Sequence, residues 1–431
     1  MKRILIKELI KHIGDKVKIK GWVQNIRDLG MVSFLIIRDR SGLVQVVHEG
    51  ESLPEGLSRE CVISIEGVVK KEDRAVGGIE IHLSKFSILS ETVGEMLPFE
   101  ISKVNDDINE DIIYKHRAFS LRNSVYHNVF KIQAEIISAY RDFLRSKDFT
   151  EIMTPKIVAS GTEGGTDLFS LEYFDKKAFL AQSPQFYKQM MVGAGYERVF
   201  EIGKAYRAEK HDTSRHINEY VSLDFEMGFI DSYQDIMNME TELLKYIIKS
   251  LKKNCSKLFN LFKEKLPVIP EVIPQITLKE AQRILKDKYN KKSPANNLDP
   301  EGEVLLYRWA KEKYDSEWVF VIRYPAKKRP FYTMYDREKT EETLSFDLLF
   351  RGLEITTGGQ RIHSYQLLTE NMKKFGLVPE NYQFYLDIFK YGMPPHGGLA
   401  IGLERLTMKL CGMDNIRQTS LFPRTRSRIT P

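Results

Sequence analysis

Cysteine is scarce in this chain of 431 residues: Cys61, Cys255 and Cys411 lie far apart, with no Cys-x-x-Cys spacing. That argues against a disulfide framework or a structural zinc site, and makes the reducing cytoplasm the expected compartment. Long apolar runs are missing too. Stretches such as Val32–Ile37 fall well short of the roughly 20 residues that span a bilayer, so no membrane partner is expected. The opening MKRILIKELIKHIGDK has charges every few residues, and lacks the apolar core and small-residue cleavage site of a secretory signal. An excess of one charge sign is also small. The net charge of +6 permits a polyanionic partner without requiring one. There is no internal repeat and no low-complexity tract. What remains, 42% hydrophobic and 29% charged, describes a globular chain long enough for two or more domains.

Two regions follow from the patterning. Residues 16–92 hold five short β-rich runs, KVKIKGWVQNI, SFLIIRD, GLVQVVHE, CVISIEGVVKK and IEIHLSKFSIL, separated by Gly, Asp and Ser turns. Five strands in under a hundred residues predict a small barrel over residues 1–100, with the oligonucleotide-binding (OB) fold as the leading candidate. Arg27, Phe34, Arg38 and Gln45 suit the stacking and pairing of unstacked bases. The same segment equally describes a barrel with Phe34 in its core and its charges solvated.

A polar stretch, residues 101–124, reads as a linker. From residue 125 the period changes. Val129, Ile132, Ile136, Tyr140 and Phe143 recur every three or four positions and predict an amphipathic helix, followed by a strand at TEIMTPKIV. Residues 125–431 are expected to form an α+β domain, an antiparallel sheet flanked by helices, with an insertion at about 231–316.

Three segments carry chemistry. In FEIGKAYRAEKHDTSRHINEYVSLDFEMGFI, Arg207, Glu209, Arg215 and His216 lie on or between two strands that also carry Glu219, Tyr220, Asp224 and Glu226. Arginine forks meet phosphate oxygens and carboxylates hold the forks, although alone this also describes a solvated hairpin. In SFDLLFRGLEITTGGQRIHSY, Asp347 and Glu354 sit on two strands joined at Arg351-Gly352 and can share a divalent ion on phosphate; Arg361 follows as an anion receptor. In GLAIGLERLTM, a glycine-rich strand runs into a helix opened by Arg405. Such a strand alone more often serves packing; the three segments in this order make a strong pattern.

In this order the segments resemble the signature motifs of class II aminoacyl-tRNA synthetases. The helix and strand ending at Thr154-Pro155 resemble motif 1, the dimer-interface element; Phe200–Glu226 resembles motif 2, and Gly398–Arg405 motif 3. GTEGGTDLF, FLAQSPQFYKQ, FDLLFRGLEITTGGQRIH, FKYGMPPHGG and GWVQNIRDLGMVSFLIIRDRSGLVQVV are similar to aspartyl-tRNA synthetases of the archaeal and eukaryotic type. The similarity spans nearly the whole chain apart from about 231–316, and the large extra domain of the bacterial type is missing.

The resemblance implies an aspartate–tRNA ligase that activates L-aspartate with ATP and Mg2+ and charges tRNA(Asp), as a homodimer. It places Arg207 on the ATP α-phosphate, and Arg215 and His216 on the outer phosphates. Glu209 orients the nucleotide, and Tyr220 and Arg405 enclose the adenine. Asp347, Glu354 and Thr357 hold magnesium. Lys188 and Arg361 take the aspartate side chain, with Asp224 orienting Lys188; Glu163, Ser183, Gln185 and Thr357 surround the rest of the substrate. Phe34, Gln45 and Arg27 are expected at the shared anticodon bases. Gln24 stands where strict enzymes tend to carry Trp, which points to charging of tRNA(Asn) as well. Three departures are visible: Tyr220 for an expected Phe, Thr357 for a common Ser and Ala400 for a common Gly.

The alternatives are an asparaginyl-tRNA synthetase and a non-catalytic RNA-binding paralogue. Lys188 argues against the first, since a neutral amide leaves its charge unmatched. A lysyl enzyme is disfavoured because Lys188 and Arg361 would repel its substrate. The surviving motif 2 and motif 3 arginines argue against the non-catalytic paralogue, and the barrel argues against a paralogue that makes free asparagine.

Overall fold

The computed structural model describes all residues except 51, 52, 54, 94–96, 102–107 and 163–167. The described chain divides into two units, Met1–Ile112 and Ile113–Pro431.

The first unit is a closed barrel of β1 (Lys16–Asp28), β2 (Val32–Asp39), β3 (Gly42–Glu49), β4 (Val62–Lys71) and β5 (Ile79–Ser90), in the order β1-β2-β3-β5-β4. Alternation decides which face turns in. Leu35 and Ile37 of β2 are buried, and with Ile19, Val44, Val46, Ile63 and Ile81 they form the barrel core. Phe34, Ile36 and Arg38 fall on the other, half-buried face, so Phe34 is not a core residue.

The boundary falls within α1 (Glu110–Lys115), and α2 (Arg117–Ser120) and α3 (Ser124–Ser146) belong to the second unit. Of the expected linker, residues 102–107 lie outside the described residues, and the helical part from Ile113 onward clusters with the second unit. Arg117 explains that attachment. Only 1% exposed, it sits among the rings of Tyr114, Tyr126 and Phe130 and donates to the carbonyls of Gln418, Ser420 and Leu421.

Next come β6 (Thr150–Glu151), β7 (Ile157–Val158), β8 (Ser170–Tyr173), β9 (Lys176–Leu180), α4 (Gln185–Met191), β10 (Arg198–Tyr206) and β11 (Glu219–Gly228). After them run α5 (Tyr233–Asn254), β12 (Gln275–Thr277), α6 (Leu278–Tyr289), α7 (Pro300–Tyr314), β13 (Trp318–Ile322), β14 (Ser345–Phe350) and β15 (Leu353–Gln360). The chain closes with α8 (Tyr365–Lys374), α9 (Gln383–Leu386), β16 (His396–Gly402) and α10 (Leu403–Cys411). Eight strands form one sheet in the order β12-β13-β14-β15-β16-β11-β10-β6. Its interior is antiparallel, as expected, and both edge pairs, β12–β13 and β10–β6, are parallel. β7, β9 and β8 make a separate small sheet.

Two expectations are corrected. TEIMTPKIV is not one strand, because Pro155 offers no N–H and Thr154 turns its N–H and hydroxyl to Glu201, at 3.0 and 2.7 Å. Residues 231–316 are not an add-on. α5 buries Ile236, Leu243, Leu244, Ile247 and Leu251 in the main core with α3, β12 extends the sheet, and α6 and α7 build a second core around Leu285, Leu306 and Trp309. The lysines that obscured this pattern lie on outward helix faces.

Glu240 of α5 is fully buried, and burial pushes its carboxyl up to about 8. An acid raised on folding binds its proton more tightly in the folded chain. Stability therefore falls as pH rises from the unfolded value near 4.5 towards 8, by up to about 1.4 kcal/mol per unit. Glu240→Gln is expected to remove this slope and to gain stability over wild type at pH 8; equal pH dependence of the urea midpoints in the two proteins would refute it.

Candidate active site

The sheet order sets β14, β15, β16, β11 and β10 side by side, so the three chemical segments share one surface. A cavity of about 560 Å³ lies there, bounded by Ser183, Gln185, Arg207, Tyr220, Asp224, Asp347, Glu354, Thr357 and Arg361. It adjoins a second of about 260 Å³ that shares Arg207, Tyr220, Glu354 and Thr357 and adds Glu209, Arg215, His216 and Arg405. Together they have the volume of a nucleotide-sized site.

The smaller of the two is cationic. Arg207 follows the end of β10, where its carbonyl accepts from Asn218 Nδ2 at 2.8 Å, and its guanidinium lies 5.7 Å from the Tyr220 ring centre. Arg405 donates to the Glu354 carbonyl at 2.9 Å from the first turn of α10. Glu404 fixes that turn: both its carboxylate oxygens accept from the Val221 N–H, and burial pushes it up to about 7. Arg215 pairs with Glu303 of α7, which also accepts from the Glu354 N–H at 3.0 Å. Burial raises Glu303 to about 7 against the pull of Arg215. Burial and the neighbouring Arg405 lower the His216 imidazole below its ordinary value.

Asp347 and Glu354 face the same cavity from β14 and β15. Burial lifts Asp347 above its ordinary value, opposed by Arg329. Burial also acts to raise Glu354, but Arg405, Arg329 and Arg207 outweigh it and hold it below the usual range. Thr357 donates to Glu354 at 3.1 Å and pairs with Asp347 across the strands.

At the far end is a buried ionic network. Glu226, wholly buried, receives Arg361 Nε at 2.9 Å and Gln185 Nε2 at 3.2 Å, with Lys188 Nζ at 3.5 Å. Burial favours its neutral form; Arg361 and Lys188 prevail and keep it below the usual carboxylate value. Lys188 is 0% exposed and donates to Asp224 at 2.7 Å and the Leu399 carbonyl at 3.2 Å. It stands behind Asp224 rather than lining the cavity, whereas Arg361, Gln185, Ser183 and Asp224 do line it. Glu163 lies outside the described residues.

Sequence reasoning missed the roles of Glu226, Glu303, Arg329 and Glu404. Glu226 was findable, since it follows Asp224 by two on β11 and shares its face. Glu303 and Arg329 had no local signal, since each meets its partner, Arg215 or Asp347, only in the fold.

On the barrel, Arg27 pairs with Phe34, Ile36 with Gln45, and Gln45 with Glu80. Arg27, Phe34 and Gln45 thus share the outer face of β1–β2–β3. Gln24 sits at the register shift between Val23 and Asn25, and its carbonyl accepts from Arg38 at 3.2 Å, with Arg38 held by Glu60 at 2.6 Å.

Residues 109–426 match the family of class II tRNA synthetases (D, K and N), and residues 17–89 match the OB-fold nucleic acid binding domain. The chain belongs to the class II tRNA synthetases. It is 46% identical to the aspartate–tRNA(Asp/Asn) ligase of Thermus thermophilus over 429 residues, all of both chains. It is 42% identical to the aspartate–tRNA(Asp) ligase of Pyrococcus abyssi, covering 97% of each. Among solved structures, asparaginyl-tRNA synthetase from Pyrococcus horikoshii with asparaginyl-adenylate superposes with a TM-score of 0.93 at 31% identity, covering 100% of both chains. Aspartyl tRNA synthetase from Entamoeba histolytica gives 0.87 at 28%, covering 100% of this chain and 93% of that one. Class II synthetases for either amino acid thus share this fold, and the side chains in the cavity must separate them.

Proposed function

We propose that this class II synthetase is an aspartate–tRNA ligase. The observation that carries the reading is the Arg361 guanidinium at the closed end of the cavity, backed by buried Lys188. A carboxylate side chain there gains the attraction of a guanidinium and an ammonium that Glu226 and Asp224 already hold in place, whereas an amide gains only neutral hydrogen bonds.

The aspartate α-carboxylate attacks the ATP α-phosphorus, forming a P–O bond as the bond to the pyrophosphate oxygen breaks. The nucleophile is already anionic, so alignment and charge neutralisation supply the rate. Arg207 meets the α-phosphate, Arg215 and His216 the outer phosphates, and Glu209 orients the nucleotide. Tyr220 and Arg405 enclose the adenine. Ser183, Gln185 and Asp224 surround the amino acid. The tRNA 3′-hydroxyl then displaces AMP from the adenylate.

Asp347, Glu354 and Thr357 offer hard oxygen donors on one wall, which suits magnesium. The described residues contain no cluster of three Asp, Glu, His or Cys side chains able to hold a metal, so phosphate oxygens and water would complete its shell. When bound, the ion neutralises phosphate charge.

Pyrophosphate exchange is expected to depend on aspartate, with asparagine far weaker. Equal exchange with asparagine would establish the asparaginyl alternative.

The tRNA partner is read by the barrel, where Arg27, Phe34 and Gln45 meet the anticodon. Gln24, an amide able to donate or accept, supports charging of both tRNA(Asp) and tRNA(Asn). Aspartylation of the two transcripts side by side is expected to proceed with comparable efficiency. A preference for tRNA(Asp) of about a hundredfold, which one base-edge contact pair can supply, would overturn dual charging and leave the ligase reading standing.

A homodimer in the cytoplasm completes the proposal. The apolar positions of α3 are buried in this chain's own core and cannot form the interface. Support comes instead from Met153 in the motif 1 segment and Ile157 just after it, 87% and 49% exposed. A monomer at micromolar concentration in light scattering would refute the dimer. All three cysteines are free and buried, and no described helix is long and apolar enough to cross a membrane.

A further inference from the structure

Arg329 is absent from the motif pattern, yet it is built into the wall of the larger cavity. It follows the short turn Ala326–Lys328 and precedes Pro330. Its side chain is 10% exposed. The guanidinium lies 3.9 Å from the ring centre of buried Tyr324, so one face is fixed by an aromatic. Nη2 donates to Asp347 Oδ1 at 2.7 Å and Nε to Ser345 Oγ at 3.1 Å. The carboxylate it grips is one of the two assigned to the divalent ion.

Two carboxylates facing one cavity repel each other unless a cation stands between them. Arg329 supplies that cation at Asp347, as Arg405 does at Glu354, but it occupies an oxygen the metal ion would need. A guanidinium at hydrogen-bond distance and a divalent ion compete for one carboxylate. Polyphosphate changes the balance, because it brings oxygens that suit both the ion and an arginine fork.

We propose that Arg329 is the resident cation of this site. It holds Asp347 in the nucleotide-free enzyme, disfavours binding of a lone divalent ion, and transfers its fork to phosphate when nucleotide brings the ion in. Metal and nucleotide therefore enter together. No bond is made or broken in this exchange, and the guanidinium keeps its charge throughout.

The proposal rests on the ATP reading of the cavity, and its test needs neither aspartate nor tRNA. Binding of Mn2+ to the full-length, nucleotide-free protein is measured by calorimetry or electron paramagnetic resonance. Arg329→Gln is expected to bind Mn2+ about tenfold or more tightly than wild type, since a competing charge has gone. Arg329→Lys keeps the charge and should stay near wild type. In exchange kinetics both variants should raise KM for ATP, leaving KM for aspartate unchanged, because both lose the fork. Unchanged or weaker Mn2+ binding by Arg329→Gln overturns the proposal, and so does an equal gain in Arg329→Lys or an unchanged KM for ATP. Failure of aspartate-dependent exchange in wild type, with the Mn2+ difference intact, would overturn the substrate reading alone.

Discussion

Replacing Arg405 or Arg207 by alanine is expected to lower aspartate-dependent pyrophosphate exchange by roughly 10²–10³-fold each, the loss typical of one preorganised charge at a transition state. Each arginine reaches the shared cavity from a different element, Arg207 from the end of β10 and Arg405 from α10. Arg405 donates to the Glu354 backbone carbonyl and lies 3.5 Å from its carboxylate, so part of its effect comes through that residue. tRNA affinity, measured by filter binding, should stay near wild type, because the barrel is a unit of its own. Near-normal exchange in either variant would mean that the nucleotide lies elsewhere.

Lys188→Met is expected to cost about 3–5 kcal/mol in stability, the usual result of removing one partner from a buried ionic group. The ammonium is wholly enclosed, and its loss leaves Asp224 without its 2.7 Å donor and Glu226 with Arg361 as its sole cation. The pH signature follows. A carboxylate such as Glu226, held below its unfolded value, stabilises the fold above that value, and the benefit disappears as pH falls through the folded one. The variant should therefore differ from wild type most at neutral pH and least in acid. Urea denaturation at pH 7 and pH 4 measures both. A loss at pH 7 below about 1 kcal/mol, as for an exposed pair, would show that the network relaxes around the gap.

Period-two alternation was enough to place the barrel, because small strands with one buried face leave a clear record; Leu35 and Ile37 against Phe34 and Arg38 is the plainest case. The three chemical segments were legible because charges interrupt otherwise apolar strands at β11 and β15, and follow glycine-rich β16 directly at Glu404 and Arg405. The regions that misled did so for physical reasons. α5 is amphipathic, but its lysines and the Lys-rich helices after it mask how much apolar surface the segment buries. The Arg215–Glu303 and Arg329–Asp347 pairs join residues distant in the chain, and no local pattern records such a meeting. Lys188 was visible as a residue, but not its position behind Asp224.

The sheet order also says something about synthesis. β10 and β11 are made as neighbours and can pair at once, but the far edge of β11 must wait for β16, which pairs Ser222 with Gly402. Until almost the whole chain has left the ribosome, that edge presents unpaired N–H and carbonyl groups, with Leu223 and Phe225 of the eventual core beside them. Further along β16, at Gly398 opposite Glu226, no side chain can be added: a Cβ there would meet the Phe225 carbonyl at 2.2 Å. The last strand to arrive is thus also the one with the least room to fit. A nascent chain stopped before His396 should hold a folded barrel beside an open, adhesive half-sheet, the kind of intermediate that chaperones capture.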